Sequence, residues 1–230
     1  MTTTIDTLLA QGGNGTDDAQ TGAVVTPLYF STAYRHPGLG ESTGFDYARL
    51  STPTRQVLEE QLERLEHGVQ GFATSSGMAA IDLVFATLLK TGDHFLTSDD
   101  LYGGTFRYFD DLVVHSGVSY TACRDLDDFL TQIRPETKLI WLETPSNPTM
   151  KITDIQALST AVKAVRPDII IAVDNTFLTP IFQQPLTLGA DVVVHSATKY
   201  LGGHNDILAG AVVTNPVSYT HLTLPTICSV

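Results

Sequence analysis

Three short apolar runs constrain this chain most: KLIWLE (138–143), DIIIAVD (168–174) and DVVVHS (191–196). None of them alternates apolar with polar residues, so a strand built from any of them has no face suited to water. Such strands are stable only inside a sheet that is covered on both sides. Segments with helical spacing lie between the runs. Strand–helix alternation of this kind specifies an α/β fold. The expected fold class is three-layer α/β, a mainly parallel sheet with helices on both faces.

The rest of the chain fits that pattern. STPTRQVLEEQLERLEH (51–67) reads as a helix, with Ser51 or Thr52 as N-cap and Pro53 in the first turn. Leu58, Leu62 and Leu65 recur on one face, and Gly68 is expected to end the helix. GFATS (71–75), HFLTS (94–98), VSYTA (118–122) and ILAGAVVTN (207–215) read as further strands. GMAAIDLVFATLLKTG (77–92), YGGTFRYFDDLVVHSG (102–117), DLDDFLTQIR (125–134) and DIQALSTAVKAVR (154–166) read as helices, the third with Leu126, Phe129, Leu130 and Ile133 inward. Residues 1–50 are rich in Gly, Thr and Pro and lack periodicity. They are expected to form an extended arm, which is stable only when docked on something, often another subunit. Residues 51–216 form the large domain. Residues 217–230 follow Pro216 without helix or strand logic, and their back-translation matches a common sequencing-library adaptor. That tail is expected to be non-native.

Composition removes several classes of function. Lysine plus arginine number 13 against 25 acidic residues, a formal net charge of −12. Nucleic acid and anionic membranes need a basic footprint, so neither is expected as a partner. The two cysteines, Cys123 and Cys228, have no metal-ligand spacing, so no metal and no disulfide framework is expected. No apolar run reaches membrane-spanning length, and the N-terminus lacks a basic signal region. A cytoplasmic location is expected. No GxGxxG follows a strand and no GxxxxGK[ST] is present, which argues against dinucleotide or triphosphate binding.

Ligands of doubly wound sheets bind beyond the carboxyl ends of the strands, so the residues there carry the chemistry. After GFAT come Ser75, Ser76, Gly77 and Met78, which open a helix. Free N–H groups and the positive dipole end at a helix N-terminus suit a phosphate. After HFLTSDD comes Tyr102 before Gly103 and Gly104, where an aromatic ring could lie flat on a planar ligand. Asn147 sits between two prolines in TPSNPT, a loop they make rigid. Asp174 ends an apolar strand, where desolvation raises a carboxylate's pKa unless a cation is close. Lys199 follows Ser196 and Thr198 beyond DVVVH, and a partly desolvated lysine there can form a Schiff base. Each feature alone also has an ordinary reading: a helix cap, a surface tyrosine, an Asn-Pro turn, a turn cap, a solvent-seeking lysine. Together they make the kit that holds pyridoxal phosphate: a phosphate anchor, a stacking ring, a carboxylate for the ring nitrogen and a lysine for the aldehyde.

DVVVHSATKYLGGHN, FATSSGMAA, DLYGGT, ETPSNP and VDNTF, in this order, resemble the pyridoxal-phosphate enzymes of cysteine and methionine metabolism, from about Leu8 to Thr214. The resemblance implies the fold-type I large domain and pyridoxal 5′-phosphate as cofactor. It implies Lys199 as the cofactor lysine and proton shuttle, Asp174 at the ring nitrogen and Tyr102 stacked on the ring. Gly77, Met78, Ser196 and Thr198, with Ser76 nearby, would bind phosphate, and Asn147 would meet the ring's phenolic oxygen. Tyr47 and Arg49, in FDYARLSTPT, match residues that reach the phosphate in a neighbouring subunit, and such enzymes are usually homotetramers. Thr52 stands where the family commonly has Asn. The region around it resembles bacterial cystathionine γ-synthase and O-acetylhomoserine thiol-lyase. This implies γ-replacement on an O-acylhomoserine by cysteine or sulfide, with β- or γ-cleavage of cystathionine as the alternative on the same residues. Gly104 stands where methionine γ-lyases tend to carry Cys. A non-catalytic α/β scaffold is the reading from another class. The family pattern runs on past Pro216 into a small C-terminal domain with the substrate-carboxylate arginine, so these 230 residues alone are expected to be inactive.

Overall fold

In a computed structural model, which describes residues 4–13 and 21–216, one seven-stranded sheet organises the chain, with strand order β1-β7-β6-β5-β4-β2-β3. The strands are β1 (Gln70–Thr74), β2 (His94–Ser98), β3 (Ser119–Cys123), β4 (Thr137–Glu143), β5 (Ile170–Asp174), β6 (Val192–His195) and β7 (Gly210–Thr214). The pairs β2–β3, β2–β4, β4–β5 and β5–β6 are parallel; β7 runs antiparallel to both β6 and β1. The carboxyl ends of β1, β2, β4, β5 and β6 therefore share one edge of the sheet, and β7 begins there.

The doubly apolar strands divide their side chains between two cores, as period-2 geometry requires. Phe95, Trp141, Ala172, Val192, Val194 and Val212 face α3 (Gly77–Leu88). Leu96, Ile140, Leu142, Ile171 and Val173 face α5 (Leu126–Thr131) and α6 (Ile155–Val165) on the other side. Phe85 of α3 anchors the first core, with ring centroids 4.9 Å from Phe95, 4.7 Å from Phe109 and 5.4 Å from Trp141. Each such aromatic pair adds about 0.5–1.5 kcal/mol beyond the burial of its area.

Helix α2 (Pro53–Glu66) begins as its sequence specifies. Thr52 is the N-cap, its hydroxyl accepting the Arg55 N–H at 3.1 Å, so the Thr-for-Asn departure keeps the cap. Its end differs from expectation. His67, not glycine, takes the left-handed position at φ 58°. Gly68 answers a different demand, because a Cβ there would stand 2.3 Å from Val213 Cγ1. Leu62 and Leu65 are buried against the sheet, but Leu58 is 48% exposed. The fully buried Glu66 shares the inward face with them.

Other elements refine the expected pattern. The arm carries a short helix, α1 (Ile5–Ala10), and otherwise an isolated bridge between Ala33 and Tyr47. The single helix expected over 102–117 is α4 (Gly103–Arg107) followed by a π-helical turn (Tyr108–Val113) and a 3₁₀ turn (Val114–Ser116). Between β5 and β6 the chain makes α7 (Thr179–Phe182) and a 3₁₀ turn (Pro185–Leu188), which no periodicity announced. Among the described residues no helix is long and apolar enough to cross a membrane. The expectation for 217–230 lies outside the described residues.

Candidate active site

The shared sheet edge opens into a cavity of about 230 Å³. Its lining includes Ser76, Gly77, Met78, Tyr102, Asn147, Asp174, Ser196, Thr198 and Lys199. These residues come from the ends of β1, β2, β4, β5 and β6, separated widely in sequence and joined by parallel topology. Tyr47 and Arg49 are the exceptions. They do not line the cavity; both are exposed on the arm, with the Arg49 guanidinium 5.1 Å from the Tyr47 ring centroid.

One wall is the N-terminus of α3. The Ser76 hydroxyl caps it by accepting the Ala79 N–H at 3.1 Å. The N–H groups of Gly77 and Met78, in the first turn, have no helical partner. A Cβ on Gly77 would come within 2.6 Å of Ser196 Cβ and 2.7 Å of its Oγ, so glycine is what lets the helix end meet β6. Gly210 does the same from β7, since a Cβ there would stand 2.1 Å from the Ser76 carbonyl oxygen. Three chain segments thus converge around one group of unpaired N–H donors.

The floor is built by β5 and β6. Asp174 accepts two bonds on Oδ1, from the Thr176 N–H at 3.0 Å and the Thr176 hydroxyl at 2.5 Å. Its Oδ2 has no hydrogen-bond partner among the described residues. Thr176 in turn accepts the Ser196 N–H at 2.8 Å, so one hydroxyl orients both the carboxylate and the phosphate-side loop. Burial raises the Asp174 pKa, as its place at the end of an apolar strand implied; the Thr176 bonds pull it back. Beside it, in register on β4, stands Glu143. Burial and then Asp174 push Glu143 up to about 8.

Tyr102 lines the cavity and is half exposed. Its ring lies against Gly104, where a Cβ would stand 2.4 Å from Tyr102 Cε1, which accounts for the second glycine of the Tyr-Gly-Gly run. Lys199 lines the cavity but is exposed, and its amine has no partner among the described residues. Its neighbours among the described residues therefore do not bury it as expected. Thr198 also departs from expectation: its hydroxyl donates to the Ala209 carbonyl and accepts the Ala209 N–H, both at 3.1 Å, and so is engaged rather than free. The Ser196 hydroxyl has no partner among the described residues.

Sequence reasoning did not assign six of the lining residues to the site: Ile81, Glu143, Pro145, Thr176, Phe177 and Leu208. Thr176 could have been found, because Asp-x-Thr is the spacing of a local side-chain turn. Glu143 appeared only as a letter of ETPSNP, with nothing local to mark it as facing Asp174. Phe177 gave no signal.

Fold and cavity together define an α/β domain built for a phosphate-bearing cofactor that bonds to a lysine. The residues fit pyridoxal 5′-phosphate group by group. A helix N-terminus and the unpartnered Ser196 hydroxyl suit the phosphate, the open Asp174 oxygen suits a protonated ring nitrogen, and the Lys199 amine suits the aldehyde. Similarity to known proteins agrees. The family model for Cys/Met metabolism PLP-dependent enzymes matches residues 6–225. The cystathionine gamma-synthase/O-acetylhomoserine (thiol)-lyase of Bacillus subtilis is 51% identical over 215 residues, covering 93% of this chain and 57% of the relative. The cystathionine beta-lyase of Lactococcus lactis subsp. cremoris is 49% identical, covering 93% and 56%. Among solved structures, cystathionine gamma-lyase from Lactobacillus plantarum complexed with L-serine superposes with a TM-score of 0.88 at 42% identity, covering 94% of this chain and 56% of that one. The chain belongs to the Cys/Met metabolism PLP-dependent enzyme family, and its cofactor is pyridoxal 5′-phosphate. It spans a little over half the length of the relatives it matches.

Proposed function

We propose that this chain is the cofactor-binding part of an enzyme that replaces the γ-substituent of an O-acylhomoserine with cysteine or sulfide, giving cystathionine or homocysteine. The observation that carries the reading is the convergence of Lys199, Asp174, Tyr102 and the α3 N-terminus on one cavity. When bound, the cofactor supplies an electron sink for carbanions next to the amino group. The Gly77 and Met78 N–H groups and the Ser196 hydroxyl hold its phosphate, with Ser76 fixing the helix end; Thr198 can join only by giving up a bond to Ala209. Asp174, oriented by Thr176, keeps the ring nitrogen protonated. Tyr102 would stack on the ring, and Asn147 would meet its phenolic oxygen. Lys199 would hold the cofactor by its aldehyde and, with its amine free, would move the α and β protons. Tyr47 and Arg49 serve the cavity of a neighbouring subunit, in a cytoplasmic homotetramer built from dimers that share sites. On this reading the 230 residues alone are inactive.

Cleavage of cystathionine at the β or γ position is the second reading, favoured by the near-equal identity of a relative named cystathionine beta-lyase. A non-catalytic scaffold has no use for a free lysine opposite an oriented carboxylate. The test uses the full-length protein. A visible absorbance band is expected on adding pyridoxal phosphate, and Lys199→Ala should abolish it. A spectrum that Lys199→Ala leaves unchanged would sink the assignment. Product identity from O-acetylhomoserine with cysteine or sulfide, against cystathionine alone, separates replacement from cleavage.

A further inference from the structure

Glu143 is the titratable residue of the cavity lining to which nothing above assigns a role. It ends β4, is only 6% exposed, and pairs in register with Asp174. A carboxylate buried at that depth is unfavourable unless it is well hydrogen-bonded. Its hydrogen-bond partner comes from the loop after β2: the Tyr102 N–H donates to Oε2 at 2.9 Å. The Asn147 N–H, from the loop after β4, faces the same carboxylate and favours its charged form. The same two loops are joined further out. Asp100 accepts bonds from the Ser146 and Thr149 hydroxyls and from the Thr149 N–H, the last at 3.1 Å, while Lys151 pairs with Asp99 at 2.9 Å. Those outer contacts tie loop to loop. Glu143 adds a tie from the sheet itself, at the cavity wall.

We propose that Glu143 is a positioning residue of this site: its buried carboxyl group anchors the Tyr102 loop by its main-chain N–H and faces the Asn147 N–H, and so fixes where both side chains stand. This rests on the reading of the cavity as a pyridoxal-phosphate site. Once Glu143 is ionised, above about pH 8, such bonds are charge-assisted and about twice as strong as neutral ones. The charged groups facing Glu143 are Asp174 from β5 and Asp100 from the loop after β2, with Lys199 lining the same cavity. As pH rises through about 8, Glu143 gains a charge beside Asp174 and the ring nitrogen that Asp174 serves.

The experiment compares the full-length protein with Glu143→Ala and the near-isosteric Glu143→Gln. Hydrogen exchange on the cofactor-free protein reads the anchor directly. Amides around Tyr102 and Asn147 should exchange at least about tenfold faster in Glu143→Ala, with the rest of the sheet unchanged. Titration with pyridoxal phosphate reads the site: affinity in the parent protein should inflect near pH 8, and Glu143→Gln should lose that inflection. Unchanged exchange in both loops, or an inflection that persists in Glu143→Gln, overturns the proposal. If Glu143→Ala loosens the whole molecule, exchange in Glu143→Gln decides. A parent protein that binds no pyridoxal phosphate would refute the functional reading instead, leaving the exchange result to judge the anchor.

Discussion

At Gly77 the absence of a side chain is itself the functional feature. A Cβ there would stand 2.9 Å from Ser196 Cα as well as against its side chain, so backbone as well as side chain must give way. Overpacking of this kind costs about 1–3 kcal/mol. Gly77→Ala is therefore expected to weaken pyridoxal-phosphate binding about tenfold or more while leaving the protein folded. Equilibrium titration of the cofactor-free variant checks this, and unchanged affinity would mean that Ser196 moves aside without consequence. Thr176 makes a complementary point. Its single hydroxyl fills Asp174 Oδ1 and holds the Ser196 N–H, leaving Oδ2 open. The sequence showed the acid and showed the threonine, but the three-way bond exists only because β5 and β6 are neighbours.

At the scale of elements, a buried polar network lies beneath the cavity, on the α2 side of the sheet. Glu66 at the end of α2 meets His195 Nε2 at 2.6 Å and accepts the Asn175 amide at 3.1 Å. Asn175 also donates to the Gln183 carbonyl, and the Gln183 amide donates to Asn175 Oδ1 and the Thr144 carbonyl. The network thus joins α2, the loop after α7 and the ends of β4, β5 and β6, each of which carries a cavity residue. Glu66 and His195 are fully buried. Removing one partner leaves the other buried and unsatisfied, which costs about 1–3 kcal/mol. Glu66→Ala should lower stability by about that much in denaturant titration of the full-length protein. A loss under about 1 kcal/mol would show that water or a shifted side chain takes its place. The α2 repeat made Leu62 and Leu65 legible as core, yet it gave Leu58 the same standing and hid Glu66. Periodicity reports which face turns inward, not where the sheet beneath it ends.

At the scale of the molecule, exposed apolar side chains include Phe30 at 90% and Leu39 at 107% on the arm, Phe182 of α7 at 80% and Leu208 at 70%. Leu208 also lines the cavity. Large apolar side chains this exposed suit an interface. If the arm serves a neighbouring site, Arg49→Ala and Lys199→Ala damage sites through different subunits. Each variant alone should lack product formation. Mixed oligomers made by co-expression should recover on the order of a quarter of the parent activity, the share expected of random pairing. No recovery would place Arg49 and Lys199 in the same subunit's site.

The sequence by itself determined the layers, the strand ends and the kind of chemistry. Uninterrupted Ile/Val runs can be stable only in a covered sheet, and Ser-Gly, Asp and Ser-x-Thr-Lys beyond strands have one joint use. Only the tertiary structure decided which of these residues meet. Parallel pairing sets Glu143 beside Asp174 from 31 positions away in the chain, and close packing at Gly77 and Gly210 brings three segments to one helix end. It also showed that Lys199 is exposed and the Thr198 hydroxyl occupied, because local motifs fix residue types and backbone direction. Solvent access and hydrogen-bond partners depend on chain that is distant in sequence.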